Sequence, residues 1–159
     1  MTVTIRDAVP ADVPVILRFI TDLAIYERLQ HEAVATEADL VRELFGPSPK
    51  VFCQLADVSG EPAGFALWYY TFSTFQGRLG IWLEDLFVDP ARRGHGIGKA
   101  LLVDLARRCL REELGRFEWN VLDWNQPSID FYQSQGAVFL DHWRRCRVSG
   151  AALERLGAA

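Results

Sequence analysis

The run Arg93-Gly94-His95-Gly96-Ile97-Gly98 stands between an apolar stretch ending at Asp89-Pro90 and a long amphipathic stretch starting near Gly98. A strand, a glycine turn and a helix in that order commit this part of the chain to helix packed on sheet. They also build an anion site. Glycines let backbone N–H groups converge, and the helix N-terminus adds partial positive charge. Arg92, Arg93 and Lys99 flank the same turn, which predicts phosphate recognition. Two familiar phosphate motifs do not match. A Walker A loop needs four residues between its glycines and a Lys-Ser/Thr pair; here three residues separate Gly94 from Gly98, and Ala100 replaces the hydroxyl. A dinucleotide fingerprint needs GxGxxG in the first βαβ unit, whereas this GxGxG follows three or four strands. A glycine run alone also makes a plain tight turn, so the basic flank carries the reading.

The elements around the turn read in order. Thr2 to Asp7 alternates as a first strand. Asp12 is a candidate N-cap for a helix to Tyr26, with Val15, Ile16, Phe19, Ile20 and Leu23 on one face. Thr36 caps a second helix to Phe45, with Asp39 three residues on. Val51–Val58, Ala63–Phe72 and Leu79–Val88 read as an antiparallel meander, apolar in its last strand apart from Glu84 and Asp85. Adjacent residues of a strand point to opposite faces, so Glu84 and Asp85 are expected on opposite sides of the sheet. The helix from about Gly98 to Glu113 turns Leu101, Leu102, Leu105, Ala106, Cys109 and Leu110 inward. Phe117–Leu122 is a further strand. Asn125 and Pro127 open a helix that Gly136 ends. Val138–Leu140 and His142–Val148 form a closing pair of strands. No repeat or linker interrupts residues 1–159, so one α/β (α+β) domain is expected.

The net charge of −4 hides an asymmetry. Met1–Ala91 holds 6 Lys/Arg against 13 Asp/Glu, Arg92–Arg116 holds 7 against 3, and Phe117–Ala159 holds 4 against 5. A basic helix is ordinarily a solvated face, but this one begins at the glycine turn. The whole-chain balance excludes a nucleic-acid partner. The apolar run Phe65–Tyr70 is too short to span a bilayer, and no secretory leader opens the sequence. Cys53, Cys109 and Cys146 lack paired spacing, which fits a reducing cytoplasm. His31, His95 and His142 lack metal-ligand spacing, so no metal is expected.

The strand followed by Arg93-x-x-Gly96-x-Gly98 and a long helix resembles the acetyl-CoA motif of the GNAT N-acetyltransferases. Trp124-Asn125-Gln126-Pro127-Ser128-Ile129-Asp130-Phe131-Tyr132 is similar to a later segment of the same superfamily. Together with Leu83-Glu84-Asp85-Leu86-Phe87-Val88, these motifs resemble the spermidine/spermine and thialysine acetyltransferase branch, in order over nearly the whole chain. The resemblance implies a mixed, mostly antiparallel twisted sheet of about six to seven strands with about four helices. It implies acetyl-CoA as co-substrate, held by Gly94, His95, Gly96, Ile97, Gly98 and Lys99 with Arg93. Leu86, Phe87 and Val88 would pair with the pantetheine arm, and Asn125 and Ser128 would touch the cofactor. Asn125 also suits simple N-capping.

The implied reaction is direct attack of an amine on the thioester. A lysine-like amine has a pKa of about 10.4, so a base must take its proton and an acid must protonate the departing thiolate. Glu84 matches the family base and Tyr132 the family acid. Without the motif, Tyr132 reads as a helical core aromatic. Tyr26 and Glu27 match a pair that contacts the amine, and Asp85 and Trp143 are further substrate candidates. Asp85 equally suits a structural hydrogen-bonding role. Ser73-Thr74-Phe75 replaces the polyamine branch's acid and tryptophan, and Asp141 is the only acid near Trp143. These departures favour a small diamine or thialysine-like acceptor over spermine. The acidic N-terminal part suits a cation. A peptide amine as acceptor, or a non-catalytic CoA-sensing domain, are the alternatives. The branch also implies a homodimer, with Trp68-Tyr69-Tyr70 and the Trp143 strand as possible surfaces or as core.

Overall fold

A computed structural model describes residues 2–159. The chain divides into two units, one ending at Leu122 and one running from Asp123 to Ala159. In the first, β1 (Val3–Asp7) leads to α1 (Val13–Tyr26) and α2 (Glu37–Phe45). The meander β2 (Phe52–Val58), β3 (Glu61–Ser73) and β4 (Arg78–Val88) follows, then α3 (Ile97–Arg111) and β5 (Phe117–Trp119). The sheet order is β1-β2-β3-β4-β5. The first three pairings are antiparallel, and β5 runs parallel to β4. The α/β fold class agrees with the sequence. The sheet has five strands among the described residues, however, not six to seven.

Near-continuous apolar runs let the central strands β2, β3 and β4 bury side chains on both faces, under different helices. On one face, Leu55, Phe65, Leu67 and Phe87 pack with Val13, Ile16 and Phe19 of α1 and Leu40 and Leu44 of α2. Phe19 lies between Phe65 and Phe87, ring centroids 5.8 and 5.6 Å away. Each fully buried side chain of this size contributes about 1.5–3 kcal/mol. On the other face, α3 packs across the strands with Leu101, Leu102 and Leu105 buried. Leu110, expected inside, is 81 % exposed, because at 3.6 residues per turn it falls about 130° from the centre of the Leu101–Leu102–Leu105 stripe. Trp68 is 1 % exposed and donates its indole N–H to Gln54, so it is core rather than a docking surface.

Local signals set most boundaries. Thr36 Oγ1 accepts from the Asp39 N–H at 3.3 Å, and Asp39 returns a bond to the Thr36 N–H at 2.9 Å, the expected reciprocal cap. Asp12 does not cap α1 with its side chain. Its carboxylate instead accepts two bonds from Arg6, at 2.8 and 3.0 Å, and one from the Val9 N–H at 2.7 Å. Arg6 also donates to Asp57 at 2.7 Å. The guanidinium thus ties β1 to β2 and to the start of α1, a stronger, charge-assisted use of the acid than a cap.

The second unit contains α4 (Gln126–Ser134) and α5 (Gly150–Gly157). Gly136, at φ +91°, follows the end of α4 as expected. Residues 138–140 and 142–148 are not strands. A ladder needs a partner, and the one residue between these two runs is too short for a hairpin turn. The α5 helix is not expected from the sequence pattern.

Candidate active site

The site begins with a slip in the β3–β4 ladder. Leu83 pairs with Trp68, but Asp85 pairs with Leu67. Trp68 faces α3, with the Arg108 guanidinium 5.1 Å above its ring; Leu67 belongs to the α1–α2 core. Leu83 and Asp85 therefore face opposite sides of the sheet although two residues apart. Glu84 is the extra residue of a β-bulge, a device that re-aims side chains. Trp82 pairs with Tyr69, on the Leu67 side, and its indole donates to Glu84 at 2.8 Å. Both acids thus lie on the α1 side, which corrects the expectation of opposite faces. The alternation rule fails because it assumes an uninterrupted ladder.

Their surroundings differ. Glu84 is exposed and Asp85 partly buried. Burial pushes the Asp85 carboxyl up to about 7, and the like charges of Glu84 and Glu27 add to the effect. Glu27, just past the end of α1, is also raised by burial. Three carboxyl groups from α1 and β4 thus share one field, a natural receptor for a cation. Beside Glu27, the Tyr26 ring lies 4.8 Å under the Arg93 guanidinium. Arg93 also sits 5.7 Å from the Phe87 ring and donates from Nε to the Val88 carbonyl at 3.0 Å. It joins the glycine turn, the end of β4 and α1.

Two features beside the acids suit an extended amide ligand. β5 pairs with β4 only from Ile81 to Leu83, while β4 continues to Val88. Among the described residues, the β5 side of β4 carries no ladder beyond Leu83, so backbone groups of residues 84–88 can take an added strand. The glycine turn then leads into α3. Gly96 is the N-cap residue at φ +76°, a conformation open to glycine, and the first N–H groups of a helix have no partner within it. Gly64 fixes the same strand end from the other side. A Cβ there would lie 2.6 Å from the Phe87 carbonyl oxygen, so only glycine lets β3 approach so closely.

Asn125, Ser128, Tyr132 and Trp143 belong to the second unit. Asn125 is 5 % exposed and accepts from the Ser128 N–H at 3.4 Å as the N-cap of α4. Tyr132 is partly buried on α4, its ring centroid 5.4 Å from that of Phe131. Trp143 is 71 % exposed in the irregular stretch before α5. Among the described residues no group of His, Cys, Asp and Glu could hold a metal ion, and no helix is long and apolar enough to cross a membrane. Cys53 is buried and its thiol pushed up, as suits a core residue. The acids and the glycine turn stand in sequence motifs, whereas the bulge and Trp82 carry no local signal, and Gly64 shows only as a lone glycine in a strand.

A sheet that parts beyond Leu83, next to a bulged acidic strand and a glycine turn opening a long helix, defines an acyl-transferring enzyme of the acetyltransferase class. The Acetyltransferase (GNAT) family profile matches residues 18–137, and the chain belongs to that family; it is an N-acetyltransferase. GNAT acetyltransferases use acetyl-CoA as co-substrate. The chain is 36 % identical to thialysine N-epsilon-acetyltransferase of Sus scrofa, over 98 % of this chain and 97 % of that protein. It is 32 % identical to L-ornithine N5-acetyltransferase NATA1 of Arabidopsis thaliana, over 96 % and 86 %. In structure it is similar to an integron cassette protein from the mobile metagenome of V. cholerae. That match has a TM-score of 0.83 and 26 % identity, covering 100 % of this chain and 99 % of the other.

Proposed function

We propose that the protein transfers an acetyl group from acetyl-CoA to a primary amine of a small cationic acceptor, a diamine or a thialysine-like amino acid. The observation that carries this reading is the bulge that turns Glu84 and Asp85 to the same side as Glu27, beside the unpaired edge of β4. An acidic pocket next to an amide-pairing strand suits a cation approaching a thioester. The relatives named for thialysine and ornithine share that acceptor chemistry, a short chain ending in an amine.

In this reading the pyrophosphate of acetyl-CoA lies on the N–H groups of Gly94, Gly96, Gly98 and Lys99, with Arg93 alongside. The pantetheine arm pairs with Leu86–Val88, and an N–H near Phe87 or Val88 stabilises the oxyanion. Asn125 and Ser128 contact the cofactor. Tyr26, Glu27, Asp85 and Trp143 hold the amine. Glu84 accepts its proton, directly or through water, and the freed nitrogen attacks the thioester carbonyl carbon. The tetrahedral intermediate gives up its remaining surplus N–H proton to solvent as it collapses, the C–S bond breaks, and Tyr132 protonates the thiolate. No covalent enzyme intermediate is needed. The protein works as a cytoplasmic homodimer. The exposed Val138, Phe139 and Leu140 support a partner surface in the second unit.

The test is a panel of amines with acetyl-CoA, read as CoA release. Strong turnover of ornithine, thialysine or a short diamine supports the reading. Turnover confined to peptide amines would redirect it to a protein acceptor. Tight CoA binding with no turnover on any amine would leave a CoA sensor instead.

A further inference from the structure

Glu84 occupies the one position of β4 that the ladder does not fix. The bulge leaves its residue unpaired, and its side chain is exposed, so three rotatable bonds are free to scatter the carboxylate. One bond restrains it. The Trp82 indole N–H donates to Glu84 Oε2 at 2.8 Å, within the range of charge-assisted bonds. Trp82 is itself held. It is partly buried, pairs with Tyr69 of β3 on one side and lies in register with Glu118 of β5 on the other. It is the last residue but one before β5 leaves β4. The indole therefore stands on the fixed part of the sheet and reaches to the part that opens.

We propose that Trp82 is a positioning residue for Glu84, resting on the assignment of Glu84 as the proton acceptor. The division of labour follows from donor chemistry. An indole N–H donates and cannot accept, so Trp82 does not compete for the amine's proton. It engages Oε2 and leaves Oε1 to take the proton. A carboxylate held by one oxygen reaches the productive geometry more often than a free one, and orientation acts on the rate of the chemical step.

A double-mutant cycle tests this. Trp82→Phe keeps an aromatic ring and removes the N–H. In the wild-type background it should lower kcat about tenfold with KM for acetyl-CoA unchanged. In a Glu84→Gln background it should lower kcat no further, because the group it positions no longer takes a proton. An equal loss in both backgrounds, or no loss in either, overturns the proposal while leaving Glu84 as base. Full activity in Glu84→Gln alone overturns the base assignment, and the proposal with it. A second measurement does not depend on Trp82→Phe folding. The indole N–H resonance of Trp82, one of five tryptophans, should move upfield in Glu84→Ala while the other four stay in place. An unmoved Trp82 signal would overturn the bond on which the proposal stands.

Discussion

Asp85 stands directly across the β3–β4 ladder from Leu67, a core side chain only 7 % exposed. A carboxyl opposite a buried leucine gives up hydration, and burial is the first cause of its pKa near 7. Stability was not gained there. An unfolded aspartate releases its proton at about 3.8, whereas the folded one holds it to about 7. Between these values the native state binds more protons, so this group makes stability fall as pH rises. Asp85→Asn should raise the melting temperature by a few degrees at pH 8 and hardly change it at pH 4, as thermal unfolding across pH will show. An equal change at both pH values would refute the linkage.

The same group ties amine affinity to pH. A cation near Asp85 favours the ionised carboxylate, so KM for the amine should rise as pH falls below 7. In Asp85→Asn, KM should be high and lose that dependence. Initial rates at pH 6, 7 and 8 decide the matter.

The chemical roles give the largest expected losses. Glu84→Gln and Tyr132→Phe should each lower kcat by about 10²–10⁴, with both proteins folded by circular dichroism. Unchanged turnover in either would remove that residue from the mechanism.

Charge reversal at the glycine turn separates two arginines. Arg92→Glu should weaken acetyl-CoA with little effect on the amine. Arg93 differs because it stacks on Tyr26 and bonds to Val88. Arg93→Glu should therefore raise both KM values, and an effect on acetyl-CoA alone would show that the Tyr26 contact is idle.

Arg6 tests the frame rather than the site. It neutralises Asp12 and Asp57, whose side chains are only 11 and 14 % exposed. Arg6→Ala leaves two acids without their cation; because Arg6 is itself 34 % exposed, the cost in urea unfolding should be about 1.5–3 kcal/mol. The Asp12 carboxyl is held low, chiefly by Arg6. Its contribution is present above about pH 4 and lost as pH falls through its lowered folded value. The mutant should therefore show a shallower acid unfolding than the wild type.

Whatever depends on neighbours in sequence was legible without the structure. The Thr36–Asp39 cap, the Asn125 cap, the glycine turn and the order of strands and helices as far as α4 all follow from contacts a few residues long. Glu84, Asp85 and Tyr26–Glu27 could likewise be named from their motifs. Tertiary structure decided where those groups point. Register is fixed by pairing with a distant strand, so the slip that puts Leu67 opposite Asp85, and turns Glu84 to the Trp82 side, has no local signature. The parting of β5 from β4 after Leu83, and the absence of strands at 138–148 despite suitable alternation, are set the same way. A strand exists only where a partner offers its hydrogen bonds, and a sequence does not carry its partner's address.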